Sequence, residues 1–281
     1  MTGPGPNAAK PNAAKPLSLR GLAKRYETAD GRTIEALSPV DLEISPGEFL
    51  VVVGPSGCGK STLLNILAGL TPPSAGEAWV GDIQVKGPDI DRGMVFQDYA
   101  LFPWLDAVGN VEFGLERKRI PRHARREIAM RYLEMVGLAD FAEKRPRELS
   151  GGMKQRVAIA RTFATEPSII FMDEPFGALD ALTRSHLQHQ LLRIWQQHRK
   201  TVVFITHSVV EAIYLADRIV LMTARPGRIK SALKVELAHP RDPTSDDFRS
   251  IERRVYADLD EELAKSFRME DCGSNSPPTK I

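Results

Sequence analysis

An α/β fold with a parallel central sheet is predicted by three short apolar runs, Phe49–Val53, Ile169–Met172 and Val202–Ile205. None alternates with polar residues, as a strand buried on both faces requires. Each run ends in residues that carry chemistry: Gly54 after the first, Asp173-Glu174 after the second, Thr206-His207 after the third. In open α/β sheets ligands bind at the carboxyl ends of the strands.

The elements follow in chain order. Met1–Pro16 carries Asn-Ala-Ala-Lys-Pro twice, at residues 7–11 and 12–16, with no apolar segment of the kind a secretory signal needs. Repeated proline and small residues predict a disordered tail over 1–16. Val40, Leu42 and Ile44 alternate with polar residues, as do positions between Ala78 and Val85. They predict an antiparallel sheet. From Val108 to Lys144 the period becomes helical, with Ile128, Leu133 and Val136 on one face, and a further helix runs from Gly151-Gly152 to Thr165. Thr244–Arg268 places Phe248, Ile251, Val255, Leu259, Leu263 and Phe267 at spacings of three and four, an amphipathic helix expected to pack on its own domain, before a polar tail.

The first strand leads into Gly54-Pro55-Ser56-Gly57-Cys58-Gly59-Lys60-Ser61-Thr62, which meets the G-x-x-x-x-G-K-[ST] pattern. Its glycines let backbone N–H groups turn inward toward phosphate oxygens, and the helix after it adds positive potential. Lys60 is expected to reach the β- and γ-phosphates, and Ser61 to ligate Mg²⁺. Asp173 is placed to hold Mg²⁺ through water, Glu174 to polarise an attacking water, and His207 to contact the γ-phosphate. Ser150 opens a helix, so its hydroxyl and the free N–H groups there suit a phosphate; an ordinary capping serine has the same appearance.

Phosphate loop, Gln97, Leu149-Ser150-Gly151-Gly152, Asp173-Glu174, Ala178-Leu179-Asp180 and His207 occur in the order found in ATP-binding-cassette (ABC) ATPases, and the chain resembles them over residues 17–240. The resemblance implies a P-loop NTPase (RecA-like) core, an antiparallel β subdomain, and an inserted helical subdomain over about 101–164. It also implies that Tyr26 stacks on adenine, that Gln97 touches metal and water, and that Asp180 belongs to the ATP site. Ser150 and Gly152 would face the γ-phosphate held by a second copy, closing two ATP molecules between head-to-tail subunits. Met94–Gln97, Leu101–Leu105, Asn110-Val111 and Ala224–Ile229 are similar to ATPases of nitrate, sulfonate and taurine importers. Met153 and Ser208 stand where Gln and Asp are usual in the family; neither removes a core catalytic group.

Composition sets the outer bounds. The 281 residues carry 38 basic and 36 acidic side chains, a formal net charge of +2, which gives no reason to expect nucleic acid. No apolar stretch approaches the roughly 18 to 20 residues that span a bilayer. Transport would need separate membrane permease subunits and, indirectly, a periplasmic or extracellular solute-binding protein, with this chain peripheral on the cytoplasmic face. Two cysteines, Cys58 in the loop and Cys272 in the tail, make no disulfide framework. Cys58 fills a small-residue slot, or is reactive beside Lys60. The expected function is the ATP-hydrolysing motor of an importer; a soluble ABC ATPase or an exporter ATPase is the alternative. The solute is not legible.

Overall fold

The computed structural model describes residues 13–177 and 179–273, with side chains described as far as residue 264. Residues 1–12 of the expected tail, Ala178, the Cys272 side chain and residues 274–281 lie outside that description. Strands β1 (Leu17–Glu27) and β2 (Thr33–Ile44) precede β3 (Phe49–Val53) and helix α1 (Lys60–Ala68). Strands β4 (Ala75–Val80), β5 (Ile83–Gln84) and β6 (Arg92–Val95) follow, then helices α2 (Ala107–Arg117), α3 (Arg122–Met135) and α4 (Gly151–Ala164). The second half runs β7 (Ile169–Asp173), α5 (Ala181–His198), β8 (Thr201–Ile205), α6 (Val209–Leu215), β9 (Arg218–Met222), β10 (Ile229–Lys234) and α7 (Asp246–Gly273).

The central sheet has the order β10-β9-β3-β8-β7-β6. Strands β6 to β9 pair in parallel with their neighbours and β3; β10 returns antiparallel on the edge. Successive residues serve opposite faces. Phe49, Val51, Val53, Ile170, Met172, Phe204 and Leu221 pack toward α2 to α7. Leu50, Val52, Ile169, Phe171, Val203, Ile205 and Val220 pack toward α1 and the second sheet. Both faces are covered, which is why these strands read as unbroken apolar runs. On the first face Trp195 is fully buried and meets the Phe49 ring edge-on at 5.4 Å.

The second sheet has the order β2-β1-β4-β5 and is antiparallel throughout. Its inward residues are Leu17, Leu19, Leu22, Val40, Leu42, Ile44, Ala78 and Val80. The alternation expected between Val40 and Ile44 is therefore a half-buried strand. Ordered structure reaches further back than residue 17. Lys15 Nζ lies 2.8 Å from Asp91 Oδ2, Thr201 donates to the Lys15 carbonyl at 2.9 Å, and Gly81 N–H donates to the Pro16 carbonyl at 2.9 Å. The stretch 13–16 of the expected tail is thus tied to both sheets, because its carbonyls satisfy donors that repeat counting does not register.

Helices α2, α3 and α4 form the helical insertion, with Leu133 and Val136 buried and Ile128 packed beside them. Asn110 is fully buried on α2. Its Oδ1 accepts from Phe102 N–H at 2.8 Å, and its Nδ2 donates to the carbonyls of Phe102, Leu105 and Asp106. One side chain thereby fixes the Leu101–Leu105 loop. The long helix α7 buries Phe248, Val255 and Leu259 against the first face of the core, with Ile251 and Leu263 beside them, so the expected apolar stripe packs on its own domain as far as Leu263; the Phe267 side chain lies outside the described residues.

Candidate functional site

The loop between β3 and α1 is shaped by glycines and by Lys60. Gly57 and Gly59 have φ of 71° and 100°, where side chains are disfavoured. A Cβ on Gly59 would come within 2.6 Å of the Ala36 carbonyl, so no larger residue fits. The Lys60 side chain is buried, and its Nζ donates to the carbonyls of Gly54 and Pro55, each at 2.9 Å. Cys58 is fully buried beneath the loop, and burial pushes its thiol pKa up despite the nearby Lys60. That environment makes it a packed side chain and answers the reactive alternative: a reactive thiol needs a lowered pKa and exposure.

The loop forms one wall of a cleft of about 460 Å³ lined by Tyr26, Ile34, Ala36, Ser56, Gly57, Gly59, Lys60, Ser61, Thr62, Glu174 and Arg225. Parallel pairing brings the strand ends together there. Ser61 Oγ donates to Asp173 Oδ1 at 3.2 Å. Burial pushes the Asp173 carboxyl pKa up, and the Ser61 hydrogen bond opposes that shift. Glu174 follows β7 with φ of 43°, and its N–H donates to the Ile205 carbonyl at 3.0 Å. Its Oε2 lies 3.2 Å from Nδ1 of His207. Three residues expected to act together thus sit at the ends of neighbouring strands. Tyr26 is 40% exposed on β1, paired with Ile34, so its ring is available on the cleft wall.

Several expected site residues lie outside that lining; Asp173 and His207 do so while each touching a lining residue, Ser61 and Glu174 respectively. Gln97 is exposed just after β6. Ser150 is the N-cap of α4, its Oγ accepting from Met153 N–H at 3.3 Å. Gly151 and Gly152 form the first turn of that helix. Asp180 caps α5, accepting from Thr183 N–H at 3.0 Å, and that backbone bond holds its carboxyl pKa down. Ser150 and Asp180 are each a sound cap in their own right. Within one chain the structure places none of them on the cleft.

Other residues at the site were not singled out from sequence. Arg161 on α4 donates to the carbonyls of Tyr99 and Ala100 and lies over the Phe102 ring, 5.7 Å from its centre. It ties the segment after Gln97 to the helix that Ser150 caps. Glu211 on α6 is buried behind His207 and accepts from Gln188 of α5 at 2.8 Å; burial raises its carboxyl pKa. Its signal was an acid at the third position of α6, three residues after the Ser208 cap. Arg225 lines the cleft from the β9–β10 connection.

The family model described as ABC transporter matches residues 37–177. An uncharacterized ABC transporter ATP-binding protein of Methanocaldococcus jannaschii is 52% identical over 90% of this chain and 94% of its own length. The taurine import ATP-binding protein TauB of Roseobacter denitrificans is 48% identical over 79% of this chain and 83% of its own. The aliphatic sulfonates import ATP-binding protein SsuB of Bacillus cereus is 43% identical over 85% and 94%. A dimeric ATP-binding cassette in a post-hydrolysis state bound to ADP and Pi superimposes with a TM-score of 0.71 at 36% identity, over 79% of this chain and all of that one. The expected P-loop NTPase core, β subdomain and helical insertion are the architecture observed. With the cleft, the family model and these relatives in agreement, the chain belongs to the ATP-binding proteins of ABC transporters, and its reaction is the hydrolysis of ATP.

Proposed function

We propose that the chain is the motor subunit of an importer for nitrate, taurine, an organic sulfonate or a similar small solute, working as a head-to-tail homodimer beneath separate permease subunits. The observation that carries this reading is the division of the site. Lys60, Ser61 and Glu174 line the cleft, with Asp173 held to it through Ser61 and His207 through Glu174, whereas Ser150 and Asp180 cap helices away from it. Two copies in opposite orientation would bring the Ser150 end of α4 onto the partner's cleft. The relative solved as a dimer with ADP and Pi supports that arrangement. Relatives named for taurine and aliphatic sulfonates support the solute class.

In this reading the phosphate loop cradles the polyphosphate, and Lys60 turns from its own loop carbonyls to the β- and γ-phosphates. The Ser61 hydroxyl and the Asp173 carboxylate, 3.2 Å apart, form a hard-oxygen pair suited to Mg²⁺, which binds through one or two carboxylates plus substrate phosphates. Gln97 would join them from the edge of the core. Bound there, the cation neutralises phosphate charge. Glu174 orients a water and accepts its proton, and His207 fixes the Glu174 carboxylate while reaching toward the γ-phosphate. Phosphoryl transfer of this kind needs little beyond positioning and electrostatics.

Coupling to the membrane falls to Phe102, Trp104 and Phe113. Their rings form a cluster with centres 4.4 and 5.4 Å apart, and Trp104 is 68% exposed. An exposed aromatic patch marks a partner surface. Because this patch follows Gln97 in sequence, a permease helix seated on it would feel ATP binding. No helix among the described residues is long and apolar enough to cross a membrane. The chain would sit peripherally on the cytoplasmic face, with the solute-binding protein reached only through the permease.

The test is reconstitution. The chain is co-expressed with candidate permease subunits, and uptake of labelled taurine, alkanesulfonate and nitrate into proteoliposomes is followed with ATP. ATP-dependent uptake of one of these supports the reading. Stimulated ATPase activity with outward movement instead would assign an exporter. Absence of any membrane partner that alters ATPase activity would assign a soluble ATPase.

A further inference from the structure

The β9–β10 connection carries a cation into the cleft that the phosphate-loop pattern does not contain. Arg225 is exposed and lines the same cleft as Lys60, Ser61 and Tyr26. Its Nε and Nη2 both donate to the carbonyl of Gly57, each at 3.2 Å. Gly57 is the middle of the phosphate loop. A guanidinium has five N–H donors in a rigid fork, so one carbonyl leaves donors for a second acceptor.

The backbone that presents Arg225 is fixed from several sides. Gly227 N–H donates to the Ala36 carbonyl at 3.1 Å, and Ser38 N–H donates to the Gly227 carbonyl at 3.1 Å. A Cβ on Gly227 would strike the Cys58 carbonyl at 2.1 Å, so the connection lies directly against the phosphate loop. On its far side, Ala224 N–H donates to Oε2 of Glu262 at 3.0 Å, and Glu262 Oε1 lies 3.2 Å from Lys230 Nζ. Ser231 donates to Asp258 at 2.8 Å. Glu262 and Asp258 belong to α7, and Glu262 is 1% exposed. The C-terminal helix therefore holds the arginine's backbone rigid on both flanks.

We propose that Arg225 is a nucleotide-binding residue: its guanidinium contacts a phosphate oxygen of the nucleotide in the cleft, with α7 pre-setting its position. The proposal rests on the ATP-site reading above and adds to it a second cation besides Lys60. A preformed fork loses little side-chain freedom on binding, and Arg matches phosphate bidentately where Lys is a point charge.

The test is displacement of a fluorescent ATP analogue from the full chain by ATP, ADP and adenosine. The Arg225→Ala, Arg225→Gln and Arg225→Lys variants are compared, each with a melting curve in the absence of nucleotide. Arg225→Ala and Arg225→Gln are expected to bind ATP and ADP about tenfold more weakly, or about 1.4 kcal/mol. Arg225→Lys is expected to stay within about threefold of the parent chain, since it keeps the charge. Adenosine affinity stays at the parental value in all three. Parental ATP affinity in Arg225→Gln overturns the proposal, because a neutral donor to the Gly57 carbonyl then suffices. Equal loss for ATP and adenosine also overturns it, because the arginine then shapes the cleft wall rather than binding phosphate. Should Arg225→Ala fail to fold, the Gln and Lys pair still decides. Lys60→Ala run alongside separates the two levels: unchanged ATP affinity there removes the ATP-site reading itself.

Discussion

Glu174→Gln isolates the chemical step from binding. The substitution keeps size and shape, and so preserves the backbone at φ 43° and the N–H bond to the Ile205 carbonyl. It also keeps a side-chain oxygen or nitrogen 3.2 Å from His207. What it removes is the negative charge and the proton acceptor. Among the described residues, Glu174 is the one carboxylate that lines the cleft. A positioned general base contributes about 10² to 10⁴ in rate, which is about 2.7 to 5.5 kcal/mol of barrier. Phosphate release at saturating ATP should therefore fall by two to four orders of magnitude. Nucleotide affinity should be retained, since Lys60, Ser61 and the loop N–H groups are untouched. With turnover stalled and two γ-phosphates held in place, the variant should elute as a dimer from a sizing column in ATP and Mg²⁺, and as a monomer without them. A kcat within about threefold of the parent chain would refute the role given to Glu174.

Three further outcomes are expected. ATPase activity of the isolated chain should rise faster than linearly with protein concentration. Mixing inactive Lys60→Ala and Ser150→Arg chains should restore up to about a quarter of parental activity, because random pairing leaves one intact composite site in half of the dimers; strict linearity with no rescue would exclude a shared site. Trp104→Ala should leave circular dichroism and basal phosphate release unchanged while abolishing ATP-driven uptake with the permease, as its ring is exposed and outside the cleft; loss of fold would assign it to packing instead. His239 packs against Trp195 with ring centres 6.0 Å apart, and neither ring nitrogen has a hydrogen-bond partner among the described residues. Burial, helped by Arg241 and Arg199, holds its pKa down to about 4. The unfolded chain binds this proton near pH 6.5, well before the folded chain does near 4. Its contribution is complete above that pH and is lost as pH falls toward 4. His239→Leu should flatten the melting temperature between pH 7 and 4.5, and an unchanged slope would remove His239 as its source.

The sequence exposed those parts of the site in which chemistry and local geometry coincide. The phosphate loop is contiguous, and its glycines answer to positions that other residues cannot occupy, such as Gly59 against the Ala36 carbonyl. Asp173-Glu174 and His207 were legible because each terminates an apolar run, and parallel pairing of β7 with β8 then places Glu174 beside His207. Ser150 and Asp180 were legible only through the order of motifs. In one chain each is a plain helix cap, and no local feature separates that from a ligand of a partner's phosphate.

What stayed hidden are the contacts that give no periodic or spacing signal. Asn110 read only as part of a likeness to importer ATPases, yet over four to eight residues it satisfies four backbone groups of the loop that carries Phe102 and Trp104. Arg225 lies 168 positions from the carbonyl it grips. Its segment read as a mark of kinship, without a location. Only the pairing of β9 with both β3 and β10 carries the connection back over the phosphate loop. The same pairing explains α7. Its apolar stripe predicted packing, but nothing in it assigned partners to the acids at 258 and 262. One of them is among the most buried carboxylates of the fold because it answers the N–H of Ala224 and the charge of Lys230. A buried carboxylate persists only where such partners compensate its desolvation. That compensation fixes the Ala224 backbone, and with it the residue that follows.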